Sequence, residues 1–191
     1  MYRKKVVTLA LLLSALMVGG CSTRQVVEKY DGSTAQRLIT YSIEALIESL
    51  PDDEFNPYRG RKIYLQTHFI REDELLNYAT SMLTLDLERR FGMEMVSKAE
   101  QAEYTFDFFF ESLGTDSDTY GLSIPIINLS DTSQSSMIDI LAVKMYHGIA
   151  ECRYYITDHQ GGEVARGGRR LARVRTDKFA TPLFNFPISN L

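Results

Sequence analysis

The order of hydropathy patterns predicts an α/β (α+β) fold: a mixed sheet with two main helices packed on one face and a C-terminal β-hairpin. Three observations carry this expectation. Residues 33–50 and 72–90 repeat apolar side chains at helical spacing. Runs of β-branched and aromatic residues follow each of them, at 62–70, 93–97 and 104–112. Gln160-Gly161-Gly162 then separates two long extended stretches. Helix, strand, helix, strand, strand and hairpin is an order that layers helices against a sheet.

Each element has a local reason. Ser33 reads as a helix N-cap with Gln36 as its capping-box partner. Ile39, Ile43, Leu46, Ile47 and Leu50 form the apolar stripe of that helix, and Pro51 ends it. Residues 52–61, with Asn56-Pro57 and Gly60, read as a turn-rich loop. Residues 62–70 read as a strand. Glu72, Asp73 and Glu74 place acids in the first turn of the second helix, where the helix dipole favours them. Leu76, Ala79, Leu83 and Leu87 are its stripe, Arg89 and Arg90 stand in its last turn, and Gly92 suits the position just past its end.

Tyr104, Phe106, Phe108 and Phe110 share one face of the strand at 104–112. Residues 113–135 are rich in Gly, Ser, Asp and Thr and read as a long loop. A loop of that length in a compact domain commonly serves function, which makes Asp116 and Asp118 candidate functional residues. Residues 137–147 and 149–158 read as one long strand bulged at Gly148, with 163–175 as its hairpin partner. The tail from Asp177, with its prolines and aromatics, is expected to pack back onto the domain.

The N-terminal segment has a different character. Arg3, Lys4 and Lys5 open the chain, an apolar stretch from Val6 to Val18 is broken only by Thr8 and Ser14, and small residues follow. A cationic, then apolar, then small-residue order is that of a secretory signal. The apolar stretch is about 13 residues against the roughly 20 of a comfortable membrane span, so it reads as a removed signal over 1–20. Val18-Gly19-Gly20-Cys21 resembles the lipobox of bacterial lipoproteins. The resemblance implies cleavage between Gly20 and Cys21, diacylation of Cys21 and an acylated new N-terminus. Two acyl chains anchor stably, at about 0.8 kcal/mol per buried methylene. Ser22 stands where an Asp would mark inner-membrane retention in enterobacterial lipoproteins. By that analogy the expected place is the inner leaflet of the outer membrane, facing the periplasm.

Residues 21–32 then form the lipidated cysteine and a short polar tether, and 33–191 a single periplasmic α/β domain. The net charge is −4 before the signal is removed, and losing Arg3, Lys4 and Lys5 makes the chain more acidic still. An acidic surface repels phosphate backbones, so no nucleic-acid partner is expected. The chain holds two cysteines, and Cys21 is committed to the lipid, which leaves Cys152 without a partner for a disulfide.

A second resemblance covers most of 33–175. Ala102-Glu103-Tyr104 opens an aromatic strand, Leu113-Gly114-Thr115-Asp116 follows it, and Gly121-Leu122-Ser123-Ile124-Pro125 comes next. These segments are similar to a group of small bacterial lipoproteins. More distantly, the order of elements resembles curli-secretion-type envelope lipoproteins, with Asp158 to Gly162 as the turn before a closing strand. Neither resemblance implies a catalytic residue.

The chain offers little chemistry. His68, His147 and His159 lie in or beside different strands, and no spacing brings them together as metal ligands. Asp116-Ser117-Asp118 echoes the start of a calcium loop, but Tyr120 stands at the third ligand position and Ile127 where the bidentate glutamate belongs, so it reads as a polar turn. Gly167-Gly168-Arg169-Arg170 lacks the lysine–hydroxyl ending of a phosphate loop. Cys152 lies in an apolar strand, where a lone thiol is buried and inert. No enzyme activity, cofactor or metal is therefore expected.

One charge feature stands out: Arg166, Arg169, Arg170, Arg173, Arg175 and Lys178 cluster in an acidic chain, and alternation puts Arg169, Arg173 and Arg175 on one face. Two readings stay open, a dock for anionic groups or a partner and a solvated edge strand guarded by charge. The expected function is a membrane-anchored, non-enzymatic binding or assembly module of the cell envelope with an envelope protein partner. The alternatives are a structural subunit of an oligomeric envelope complex, which would make it a homo-oligomer, and an envelope-polymer hydrolase, for which no carboxylate pair is evident.

Overall fold

The computed structural model describes residues 23–26, 32–70, 74–127 and 135–188. Gly20 and Cys21, with the expected signal, lie outside the described residues, as do Glu72 and Asp73. The elements run β1 (Thr23–Val26), α1 (Ser33–Glu48), α2 (Asp52–Phe55), β2 (Lys62–His68), α3 (Glu74–Phe91), β3 (Glu94–Met95), β4 (Tyr104–Ile127), β5 (Ser135–Asp158), β6 (Glu163–Ala180) and β7 (Asn185–Pro187). The strand order is β3-β2-β4-β5-β6-β7, and β1 pairs with β4. β2 is parallel to both β3 and β4. Parallel neighbours need a crossover, and α3 supplies it between β2 and β3. The turn after Asp158 closes with Asp158 N–H donating to Gly162 O at 2.9 Å, and so tight a turn joins β5 to β6 as a hairpin. The fold is therefore the mixed α+β arrangement that the hydropathy order predicts. Among the described residues no helix is long and apolar enough to cross a membrane.

The described chain falls into two compact units, where the sequence suggests one domain. The larger holds residues 32–116 and 147–175, and the smaller 23–26, 117–127, 135–146 and 176–188. The larger unit contains the helices. α1 buries Leu38, Ile39, Ile43, Leu46 and Ile47, and α3 buries Leu76, Ala79, Leu83, Leu87 and Phe91. Both stripes cover one face of the sheet, presented by Ile63, Phe106, Phe108, Ala150, Cys152, Tyr154 and Ile156. Tyr78 of α3 donates to Glu44 of α1 at 2.9 Å, and Thr67 of β2 meets Thr80 of α3 at 2.7 Å. Arg90 reaches the other helices from the end of α3: its Nη2 donates to Leu50 O at 2.6 Å and its Nε lies 3.2 Å from Asp52.

At the centre of this core sits Phe55, fully buried on the short helix α2. Its ring lies 5.0 Å from Tyr154, 5.6 Å from Phe91, 5.8 Å from Phe106 and 6.3 Å from Phe108, within the range where aromatic pairs attract. The neighbouring Glu54 accepts a hydrogen bond from the Tyr154 hydroxyl and another, at 3.0 Å, from Arg170 Nη2. Burial first, and then this bond to Glu54, raise the Tyr154 pKa. The phenol thus stays protonated through the physiological range and remains a donor.

Several local expectations need correction. Ser33 is the first helical residue rather than the cap; Gly32 holds the cap position without a side-chain bond, so the Ser33–Gln36 capping box does not form. The segment 52–61 is not only turns, because Phe55 and Tyr58 are drawn into the core and wind it into α2 and a 3-10 turn at Asn56–Tyr58. Within the expected tether, Thr23–Val26 forms β1 against β4. The loop expected over 113–135 is instead the continuation of β4 to Ile127 and the start of β5 at Ser135, with 128–134 outside the described residues. The tail returns as β7 beside β6, with Phe186 opposite Phe179, but Leu183, Phe184, Phe186 and Ile188 stay exposed.

Two glycines are required by close approach. β5 runs through Gly148 as one strand, as expected, and a Cβ there would overlap the backbone of Leu38 where α1 crosses it. At Gly167 a Cβ would overlap the Tyr154 ring, which lies flat across the β6 backbone. Gly168, next along the strand, faces open space. Gly167→Ala is therefore expected to cost about 1–3 kcal/mol through overpacking, whereas Gly168→Ala should stay within about 1 kcal/mol. Urea unfolding midpoints of the two variants check this, and equal midpoints would show that the Tyr154 ring does not need the glycine.

Candidate functional site

The helices cover one face of the larger unit's sheet and leave the other open. Side chains alternate along a strand. With Phe106 and Phe108 turned inward, Asp107 and Phe109 of β4 turn outward. With Ala150, Cys152, Tyr154 and Ile156 inward, Glu151, Arg153, Tyr155 and Thr157 of β5 turn outward. The parallel register sets Gln66 beside Asp107 and His68 beside Phe109.

That register builds an aromatic and charged surface. The His68 ring stacks on Phe109 at 4.4 Å and 15°, while its Nε2 lies 3.0 Å from Asp107 Oδ1. Tyr155 meets Phe109 edge-on at 5.7 Å and 86°. The Arg166 guanidinium covers the outer side of Tyr155 at 5.0 Å and donates to its hydroxyl at 3.1 Å. Beyond the rings the charges are paired across strands. Glu111 of β4 takes Arg153 of β5 and lies 3.6 Å from Arg169 of β6, which also pairs with Glu151. A shallow cleft of about 810 Å³ runs over this face, lined in part by His68, Asp107, Phe109, Glu111, Arg153 and Tyr155. A smaller hollow of about 230 Å³ lies between α1 and α3 beside Glu44, Glu48 and Asp86. Burial raises the Asp86 pKa there, Arg90 opposes the rise, and Glu48 and Asp52 add to it.

The open face is suited to contact. Phe109 is 38% exposed, so a ligand can bury apolar ring surface against it. The surrounding carboxylates and guanidinium groups are already ion-paired with one another, which holds their positions and lowers the cost of ordering on binding. Cys152 lies on the other side of the sheet, 1% exposed, and burial pushes its thiol up to about 12, with Arg170 opposing and Glu111 adding to the shift. The thiolate needed for nucleophilic attack is therefore not formed near neutral pH.

The residues singled out by sequence fall as follows. Arg169, Arg173 and Arg175 are exposed along the outward side of β6, as alternation places them. The charge of Arg169 is spent on Glu151 and Glu111, which weakens it as a dock for outside anions. Arg170 turns inward to Glu54. Asp116 and Asp118 are half-buried in the extended backbone of β4 instead of ringing a loop. His68 belongs to the open face, His147 is buried, and His159 is exposed in the hairpin turn. Sequence reasoning missed Asp107, Phe109, Glu111, Arg153 and Tyr155. The signal for the β4 residues was present, since the Tyr104–Phe110 stripe leaves Asp107, Phe109 and Glu111 on the opposite face.

The pair of Glu151 and Arg169 is asymmetric: the glutamate side chain is 8% exposed and the arginine 67%. Arg169→Ala strands a buried carboxylate and is expected to cost roughly 1–3 kcal/mol, discounted from a fully buried pair for the exposed arginine. Arg166→Ala removes an exposed cation–π contact worth about 0.5–1 kcal/mol. The Arg169→Ala deficit should shrink when Glu151→Gln is introduced with it, because the stranded charge is then gone. A double-mutant cycle read by equilibrium unfolding at pH 7 checks this, and strictly additive losses would rule out the stranded charge.

No protein-family model matches the chain, and no curated protein does either.

Proposed function

We propose that the protein is a membrane-anchored bacterial lipoprotein of the cell envelope, acting there as a non-enzymatic binding or assembly module. The observation that carries the reading is Val18-Gly19-Gly20-Cys21 placed directly after a cationic and apolar segment too short to span a bilayer comfortably. Acylation at Cys21 holds the domain on the outer membrane, facing the periplasm. The open sheet face supports a binding role, since Phe109, Tyr155 and His68 offer ring surface framed by paired charges. The partner is an envelope protein or polymer segment that lays apolar groups on those rings and meets the charged rim with its own polar groups.

The test is the mature N-terminus. The wild-type chain should be cut before Cys21, carry acyl chains by intact mass, and fractionate with membranes. Cys21→Ser should remain uncut and unacylated. A wild-type chain that matures without acyl groups, or a Cys21→Ser chain that still acquires them, would overturn the proposal.

A further inference from the structure

Among the described residues, the smaller unit leaves several large apolar side chains exposed, while Val143, Met145, Tyr146 and Phe179 are half-buried. Among its residues whose burial is described, the buried apolar ones are the alanines Ala142 and Ala180. Leu122 and Ile124 of β4 are 55% and 51% exposed, and Leu183, Phe184, Phe186 and Ile188 range from 55% to 82%. Leu122 and Ile124 share one side of β4 by alternation. Phe184 and Phe186 set their rings 5.9 Å apart beside strand β7. The larger unit shows the opposite pattern, with its large side chains in the helix-covered core. Exposed apolar residues scattered singly need no explanation; here they stand in two local groups, Leu122 with Ile124 on β4 and Leu183 to Ile188 around β7, with β5 and β6 between them in the sheet.

The chain itself names what lies nearby. β1 begins at Thr23, pairs with β4 and belongs to this same unit. Thr23 stands two residues after Cys21, and two residues reach at most about 7 Å. An acylated Cys21 sits at the boundary between headgroups and acyl chains. A strand starting about 7 Å away starts within the headgroup layer, where apolar surface is commonly buried about 5–10 Å deep.

We infer that the smaller unit is a membrane-contacting platform, with Leu122, Ile124 and the Leu183–Ile188 segment seated in the lipid interface beside the anchor. This rests on the lipid anchor proposed above. Membrane contact then has two parts, the acyl chains and a folded apolar surface. The short connection between them means that the protein does not swing on a long tether.

The chain contains no tryptophan, so a single introduced one reports its own surroundings. Full-length protein, shown by mass to be acylated, would be placed in phosphatidylethanolamine–phosphatidylglycerol vesicles with brominated acyl chains. Phe186→Trp and Leu122→Trp are each expected to show a blue shift and loss of emission. Tyr41→Trp, on α1 of the larger unit and 40% exposed, is the comparison and should show neither. Acylated protein in which Phe186→Trp and Leu122→Trp stay unquenched would overturn the inference and leave the anchor standing, and so would equal quenching at all three positions. Unquenched emission with a dimer in the vesicles would assign the surface to a second copy of the chain. Absence of acyl groups by mass would remove the anchor, and with it this inference.

Discussion

Phe55 is where the helical layer of the larger unit meets its sheet. The ring contacts aromatic side chains of α3, β4 and β5, and it stands on a helix of only four residues that could not persist alone. Glu54, one residue earlier, is held by Tyr154 from β5 and Arg170 from β6. Apolar packing and a charge-assisted polar lock thus act on the same short helix. The lock places a half-exposed carboxylate at the edge of an aromatic core, where each of its oxygens finds a protein donor. Tyr154 can lie flat enough to reach Glu54 because Gly167 leaves the β6 backbone bare beneath it.

The open face is the other side of the same constraint. Once Tyr154 is committed inward, period-two alternation commits Arg153 and Tyr155 outward. Phe106 and Phe108 do the same for Asp107 and Phe109. The residues that make the surface are therefore positioned by the residues that make the core, strand by strand. Inward burial on β4 passes from Phe110 to Leu113, and on β6 from Gly167 to Ala172. Each step breaks the two-residue period, as an inserted residue does. Glu111 and Arg169 stand within those breaks, and they are the groups that carry the cross-strand charge network.

Much of this was legible in the chain. The α3 stripe of Leu76, Ala79, Leu83 and Leu87 is buried as its spacing predicts, and Gly92 takes the positive φ of a helix terminator. The hairpin at Gln160-Gly161-Gly162 announced itself through its glycines. Phe55 did not, because a lone aromatic among Asp52, Asp53, Glu54, Asn56 and Pro57 resembles a turn until the aromatic pocket that receives it exists. The 113–127 stretch read as a loop because its polar residues hide the alternation just where the period breaks, while backbone pairing keeps it extended. The outward set of arginines followed from period two, but the neutralisation of Arg169 by Glu111 and Glu151 depends on neighbouring strands. The pairing of His68 with Asp107 depends on a parallel register, which no local pattern records.

The most direct test of the central lock is a double-mutant cycle between Tyr154→Phe and Glu54→Gln, read by equilibrium unfolding. If the hydroxyl and the carboxylate act together, the two losses should be non-additive, with a coupling energy on the order of 1–2 kcal/mol. Additive losses, with coupling below about 0.5 kcal/mol, would mean that α2 is held by the Phe55 ring alone and would contradict the lock.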